Sequence, residues 1–121
     1  MRLILAILPT MLLVVLGQLL IKWRVGVLSQ AHPASGSLDR LGVYLTDPYI
    51  LAAYVAALAS SVTWMFVVES HPLSLAFPLH IGLSVMTVVI AGIYLFGEPL
   101  TPWRILAVCL IVAGVALGSR S

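Results

Sequence analysis

Charge is scarce in this chain. Four acidic and six basic side chains among 121 residues amount to 8% charged, against roughly 25% in an ordinary globular protein. With 62% hydrophobic residues and a mean hydropathy of +1.17, the chain is too short to hide its apolar surface inside one core. A water-soluble globule is thereby excluded, and lipid is the solvent that suits it. The net charge of +2 is too small and too scattered for a nucleic-acid partner. The basic residues sit near the ends of apolar runs, so the basic balance reads as a topology signal. Cysteine is nearly absent: Cys109 lies inside an apolar run, which leaves no intrachain disulfide and no Cys/His metal pattern. Also missing are a Ser/His/Asp set, paired carboxylates and a phosphate-cradling glycine loop, so neither an enzyme nor a bound cofactor or metal is expected.

Long apolar runs are what the chain has instead. The first, Leu3 to Ile21, carries no charge and is of the length needed to cross roughly 30 Å of hydrocarbon. It is too long for a signal peptide and lacks a small-x-small cleavage site before Lys22-Trp23-Arg24, a basic and aromatic trio that reads as an interfacial anchor. Residues 23–48 are the long polar connection, with SQAHPASGS as a flexible loop. Within it Ser37 is a candidate cap for a short surface helix, LDRLGVYL, that lays Leu38, Leu41, Val43 and Leu45 on the membrane. Asp47-Pro48 starts the second spanning helix, about 49–68, which ends at the turn Glu69-Ser70-His71-Pro72. The third helix covers about 73–96. Gly97 and Pro99 then stop it, Thr101 caps the fourth at about 102–118, Pro102 fits its first position, and Trp103 suits the water–lipid boundary. The expected fold is an all-α membrane protein, one domain over residues 1–121, with four transmembrane helices joined by short hairpins. The positive-inside rule puts loops 1 and 3 in the cytoplasm, because Lys22, Arg24, Arg40 and Arg104 fall on one side and only Arg2 and Arg120 on the other.

Three stretches resemble the drug/metabolite transporter superfamily: Pro72-Leu73-Ser74-Leu75-Ala76-Phe77-Pro78-Leu79, Phe96-Gly97-Glu98-Pro99-Leu100-Thr101, and Leu110-Ile111-Val112-Ala113-Gly114-Val115. The four-helix size is similar to the small multidrug resistance branch over the whole chain. The Gly17-Gln18, Ala76-Phe77-Pro78 and Gly97-Glu98-Pro99 steps resemble most the paired subunits proposed to flip undecaprenyl phosphate-linked aminoarabinose. One departure matters: where the branch's proton-coupled exporters carry a membrane-embedded Glu, this chain has Val14. An intramembrane carboxylate is costly and is kept for cations and protons, so drug/proton antiport loses its engine. The resemblance implies a lipid-linked sugar translocase subunit of a bacterial inner membrane, dimerising through its last helix. The alternatives are a small-solute exporter coupled through Glu69 or Glu98, and a structural membrane subunit.

The polar residues near the membrane are few, and each has two readings. Gln18 and Lys22, one helical turn apart, suit a phosphate or sugar hydroxyl, or else an interhelical hydrogen bond and a lysine reaching for the interface. Arg24 and Arg40 are lipid-phosphate ligands or topology anchors. Glu98 pairs with Lys22 or Arg24 across the bundle, binds an ammonium, or stands solvated. Trp64, Phe77, Tyr94 and Ser84 would line a groove between helices, or the aromatics face lipid. His80 is a proton relay or bonds a carbonyl, and Pro78 is a gate or a static kink. Gly114 and Gly118 form a small-xxx-small pair for packing within the subunit or between subunits. Since four packed helices enclose little space, a homodimer or a heterodimer with a homologous small subunit is expected around a lipid-linked sugar, with membrane lipid as the other partner.

Overall fold

The computed structural model describes residues 2–32 and 36–120. Among the described residues five helices follow one another: α1 (Arg2–Ala31), α2 (Ser37–Thr46), α3 (Pro48–Ser70), α4 (Leu73–Phe96) and α5 (Pro102–Gly118). Three of them, α1, α3 and α4, are long and apolar enough to cross a membrane. The apolar α5 has 17 residues, about 25 Å of rise. The chain is therefore all-helical and built for an apolar surrounding.

Local chemistry accounts for the helix ends. Asp47 precedes α3, and its carboxylate accepts the Ile50 amide at 3.1 Å while Pro48 takes the position that needs no amide partner. Thr101 does the same for α5, accepting from the Arg104 amide at 3.2 Å, with Pro102 next. At the end of α4, Gly97 has φ 63°, the left-handed conformation that a side chain disfavours. The amides of Gly97 and Glu98 both close on the Gly92 carbonyl. Thus α4 and α5 begin and end where the sequence places them.

The connection after the first span differs from the sequence reading. Helix α1 does not stop at Lys22; it continues unbroken to Ala31, so most of the expected loop is helical. The short helix within that loop forms as Ser37–Thr46, but Gly36 occupies the capping position and Ser37 is already inside the helix. Leu38, Leu41 and Leu45 on α2 are exposed, which agrees with an apolar surface strip. The part of the expected flexible loop at 33–35 lies outside the described residues.

Helix α1 is the centre of the molecule. It packs most extensively on α3 and then on α4, while α3 and α4 touch each other far less, through Trp64 against Phe77 and His80. The core is formed by Ile7, Met11 and Val15, stacked at one-turn intervals on α1, with Val67 from α3 and Ala76 and Leu79 from α4. Small residues permit the α1–α3 approach: a Cβ on Gly17 would lie 3.2 Å from the Ala53 carbonyl oxygen. A hydroxyl pair, Thr10 and Thr63 at 2.6 Å, ties the same two helices deeper in. Helix α5 packs on α4 alone among the described elements, with Val115 seated on Gly82. Gly114, singled out as a packing residue, has only open space where its Cβ would be. Gly82 is the small residue that brings α4 and α5 together.

Arg24 ties the extension of α1 to the start of α3. Its guanidinium grips Asp47 through two bonds, Nη2 to Oδ1 at 2.7 Å and Nε to Oδ2 at 3.1 Å. The rings of Trp23 and Tyr49 lie 5.0 and 4.8 Å from its carbon centre. A bidentate pair between aromatic faces holds the cap of α3 against α1 beyond the apolar span. The Arg24 guanidinium keeps the Asp47 carboxyl below its ordinary range, and the Ile50 amide adds to this.

Two outcomes follow. Because the folded Asp47 binds its proton more weakly than the unfolded one, its stabilisation is complete above about pH 4 and is lost as pH falls through the folded value. Thermal unfolding in detergent should show Asp47→Asn melting below the parent by a constant interval from pH 5 to 8, and the interval should close under acid. Second, Gly82→Ala puts a methyl into Val115, whose branched side chain has little rotamer freedom. Destabilisation of about 1–3 kcal/mol is expected, recovered largely by adding Val115→Ala.

Candidate functional site

Most of the sequence-nominated site residues fall into two places, one toward each half of α4. The first is a groove of about 220 Å³ between α1 and α4, where Gln18 and Lys22 face Val88, Gly92, Phe96 and Glu98. The one-turn spacing of Gln18 and Lys22 puts both on the α4 side of α1. The Gly97 turn folds the chain back so that Glu98 lies over the last turns of α4. Gly92 makes room for it: a Cβ there would sit 2.7 Å from Glu98 Oε2. The carboxylate thus rests on helix backbone where a side chain would normally stand.

Glu98 has an ion-pair partner that the sequence reading did not name. Arg104 Nη1 lies 3.6 Å from Glu98 Oε2 and also donates to the Pro99 carbonyl at 3.0 Å. Pairing of Glu98 with Lys22 or Arg24 across the bundle is not what is observed. Lys22 shares the groove with Glu98, and among the described residues it has no ion-pair partner. Both side chains of the Arg104–Glu98 pair are more than a third exposed, so the contact is worth at most about 1 kcal/mol and leaves Glu98 available to a competing cation. The groove presents an ammonium, a carboxylate and a carboxamide within one cavity. Chemically it suits a ligand bearing both an anionic and a cationic or hydroxylated group.

Arg24 and Arg40 do not line this groove. Arg24 is committed to Asp47 and Arg40 is a half-buried residue of α2, so these two belong to neither place. The missing signal for Arg24 was Asp47, legible in the sequence only as a helix cap. Gly92 and Arg104 were also overlooked, each six positions from Glu98, a spacing that means nothing until the Gly97 turn is built.

The second place holds Trp64, Phe77, His80 and Ser84. The Trp64 ring meets Phe77 edge-on at 6.3 Å and lies 5.1 Å from the His80 imidazole. His80 and Ser84, one turn apart on α4, are each 7% exposed. Outside them is an open cleft of about 640 Å³ walled by Trp64, Leu73, Ser74, Phe77 and Pro78. Pro78 stands within continuous helix. Tyr94, expected with this group, is instead 83% exposed and lines a separate α4–α5 groove beside Arg104. Among the described residues no three His, Cys, Asp or Glu side chains cluster as metal ligands.

Gly92→Ala should leave the fold intact, because the methyl meets only the far end of the flexible Glu98 side chain. Helical circular dichroism and Tm should stay near the parent. The displaced carboxylate should then react faster than the parent's with a water-soluble carbodiimide, a difference readable by mass spectrometry. A search of protein-family models, curated proteins and solved structures finds no match to this chain.

Proposed function

We propose that this chain is one subunit of a dimeric membrane transporter that moves an undecaprenyl phosphate-linked sugar, or a similar glycolipid, across the bacterial inner membrane without chemical conversion. The observation that carries the reading is the meeting of Lys22, Gln18 and Glu98 in one groove of about 220 Å³ on an otherwise apolar molecule. Lys22 and Gln18 are donors for a phosphate; Glu98 is an acceptor for an amino or hydroxyl group of the sugar. The lipid tail stays outside, against exposed apolar residues such as Leu12, Leu16 and Leu58.

In this reading α5 is the fourth span, with Trp103, 80% exposed, at its boundary. Its 17 residues reach the short end of the spanning range. No α5 residue is buried within the subunit, which leaves the helix free to pair with α5 of a second subunit, itself or a homologue. Two subunits of opposed orientation would wall one cleft that alternates between faces. The charges at Lys22, Arg24, Arg40 and Arg104 assign their side to the cytoplasm. A proton-coupled drug exporter is the weaker reading because position 14 is Val, the four acids all lie near helix ends, and Glu69 is exposed at the end of α3.

The test is transfer of a fluorescent undecaprenyl phosphate sugar between leaflets of proteoliposomes, read by dithionite quenching. Lys22→Gln and Glu98→Gln should each slow transfer about tenfold, the size expected when one charge-assisted hydrogen bond is lost. Transfer no faster than in protein-free vesicles would refute the proposal, as would full rates in both variants.

A further inference from the structure

Two buried side-chain polar atoms have no hydrogen-bond partner among the described residues, and they are neighbours: His80 Nδ1 and Ser84 Oγ. Leaving such groups unpaired in an apolar interior is costly, and native proteins seldom do so without a use. Their spacing places both on one face of α4, just beyond Pro78. Trp64 connects them with the outside, since it touches the imidazole and also walls the open cleft of about 640 Å³. Pro78 removes the amide that would ordinarily bond the Ser74 carbonyl, and Ser74 lines the same cleft. The walls combine two aromatic rings with uncharged hydrogen-bonding groups and carry no charged residue. The volume is in the range of small-ligand sites.

We propose that the α3–α4 cleft is a second binding site, specific for the neutral, hydroxyl-rich part of a glycoside. Phe77 stacks on the C–H face of the ring, while the Trp64 indole swings aside and so brings a sugar hydroxyl to His80 Nδ1 and Ser84 Oγ. His80 and Gly92 are about 18 Å apart along α4 at 1.5 Å per residue, so the neutral cleft and the charged groove lie toward opposite ends of the helix. A headgroup crossing the bilayer thereby has a polar station at each end of its path. The cargo class rests on the translocase reading; the existence of the site does not.

The experiment uses the full chain in phosphatidylcholine liposomes, with octyl β-glucoside below its micellar concentration as probe and tryptophan emission as readout. A saturable shift is expected, absent in Trp64→Phe. His80→Gln and Ser84→Ala should each raise the half-saturating concentration about fivefold, the worth of one neutral hydrogen bond. Circular dichroism confirms that the variants remain helical, and Ser84→Ala removes a single atom, so a folding defect in His80→Gln does not blunt the test. Octanol, which has the tail without the sugar, should give no saturable shift. An equal response to octanol would overturn the site, as would unchanged half-saturation in both variants. A saturable glucoside response in a chain that transfers no lipid-linked sugar would uphold the site and refute the translocase.

Discussion

Close approach of α1 to its neighbours is the constraint on which the rest depends. In lipid there is little hydrophobic gain from helix association, so contact has to come from packing and from polar pairs. Gly17 against the Ala53 carbonyl, and Thr10 against Thr63, provide both on the α3 side. On the α4 side, Met11 and Val15 pack with Ala76 and Leu79. With α1 in the middle, α3 and α4 touch each other little beyond the Trp64 contacts with Phe77 and His80, and the grooves of the molecule open on either side of α4.

Charge is sparse, and the two ion pairs among the described residues have different roles. Arg24–Asp47 is bidentate, flanked by aromatic rings and mostly buried; it fixes the cap of α3 against α1. Arg104–Glu98 is longer and half-exposed, on a hairpin whose carboxylate rests on Gly92. The first pair fixes architecture; the second is weak, and it stands beside Lys22, which has no ion-pair partner among the described residues.

Polar atoms inside an apolar bundle are costly, so how each is treated is informative. Thr10, Thr63, Ser60 and Thr87 all have bonds, either to each other or to carbonyls of their own helices. Among the described residues His80 Nδ1 and Ser84 Oγ have none, although they are as deeply buried. That contrast within one set of helices separates polar groups bonded within the bundle from a pair that is not.

Much of the fold was legible from residues close together in the chain. Helix ends depend on side chains within about four positions, so Asp47-Pro48, Gly97 and Thr101-Pro102 announced their turns directly, and the apolar runs announced helices of spanning length. The candidate residues were legible as a set for the same reason: polar side chains are rare in such runs. Their partners were not. That Arg24 belongs to Asp47, that Glu98 lies on Gly92 beside Arg104, that Gly82 rather than Gly114 admits a neighbouring helix, and that His80 and Ser84 stay unpaired all depend on which helix stands next to which. Local chemistry decides where a helix starts and stops, because its hydrogen bonds reach only one turn; the pairing of side chains from different helices is decided by packing, which the linear order does not contain.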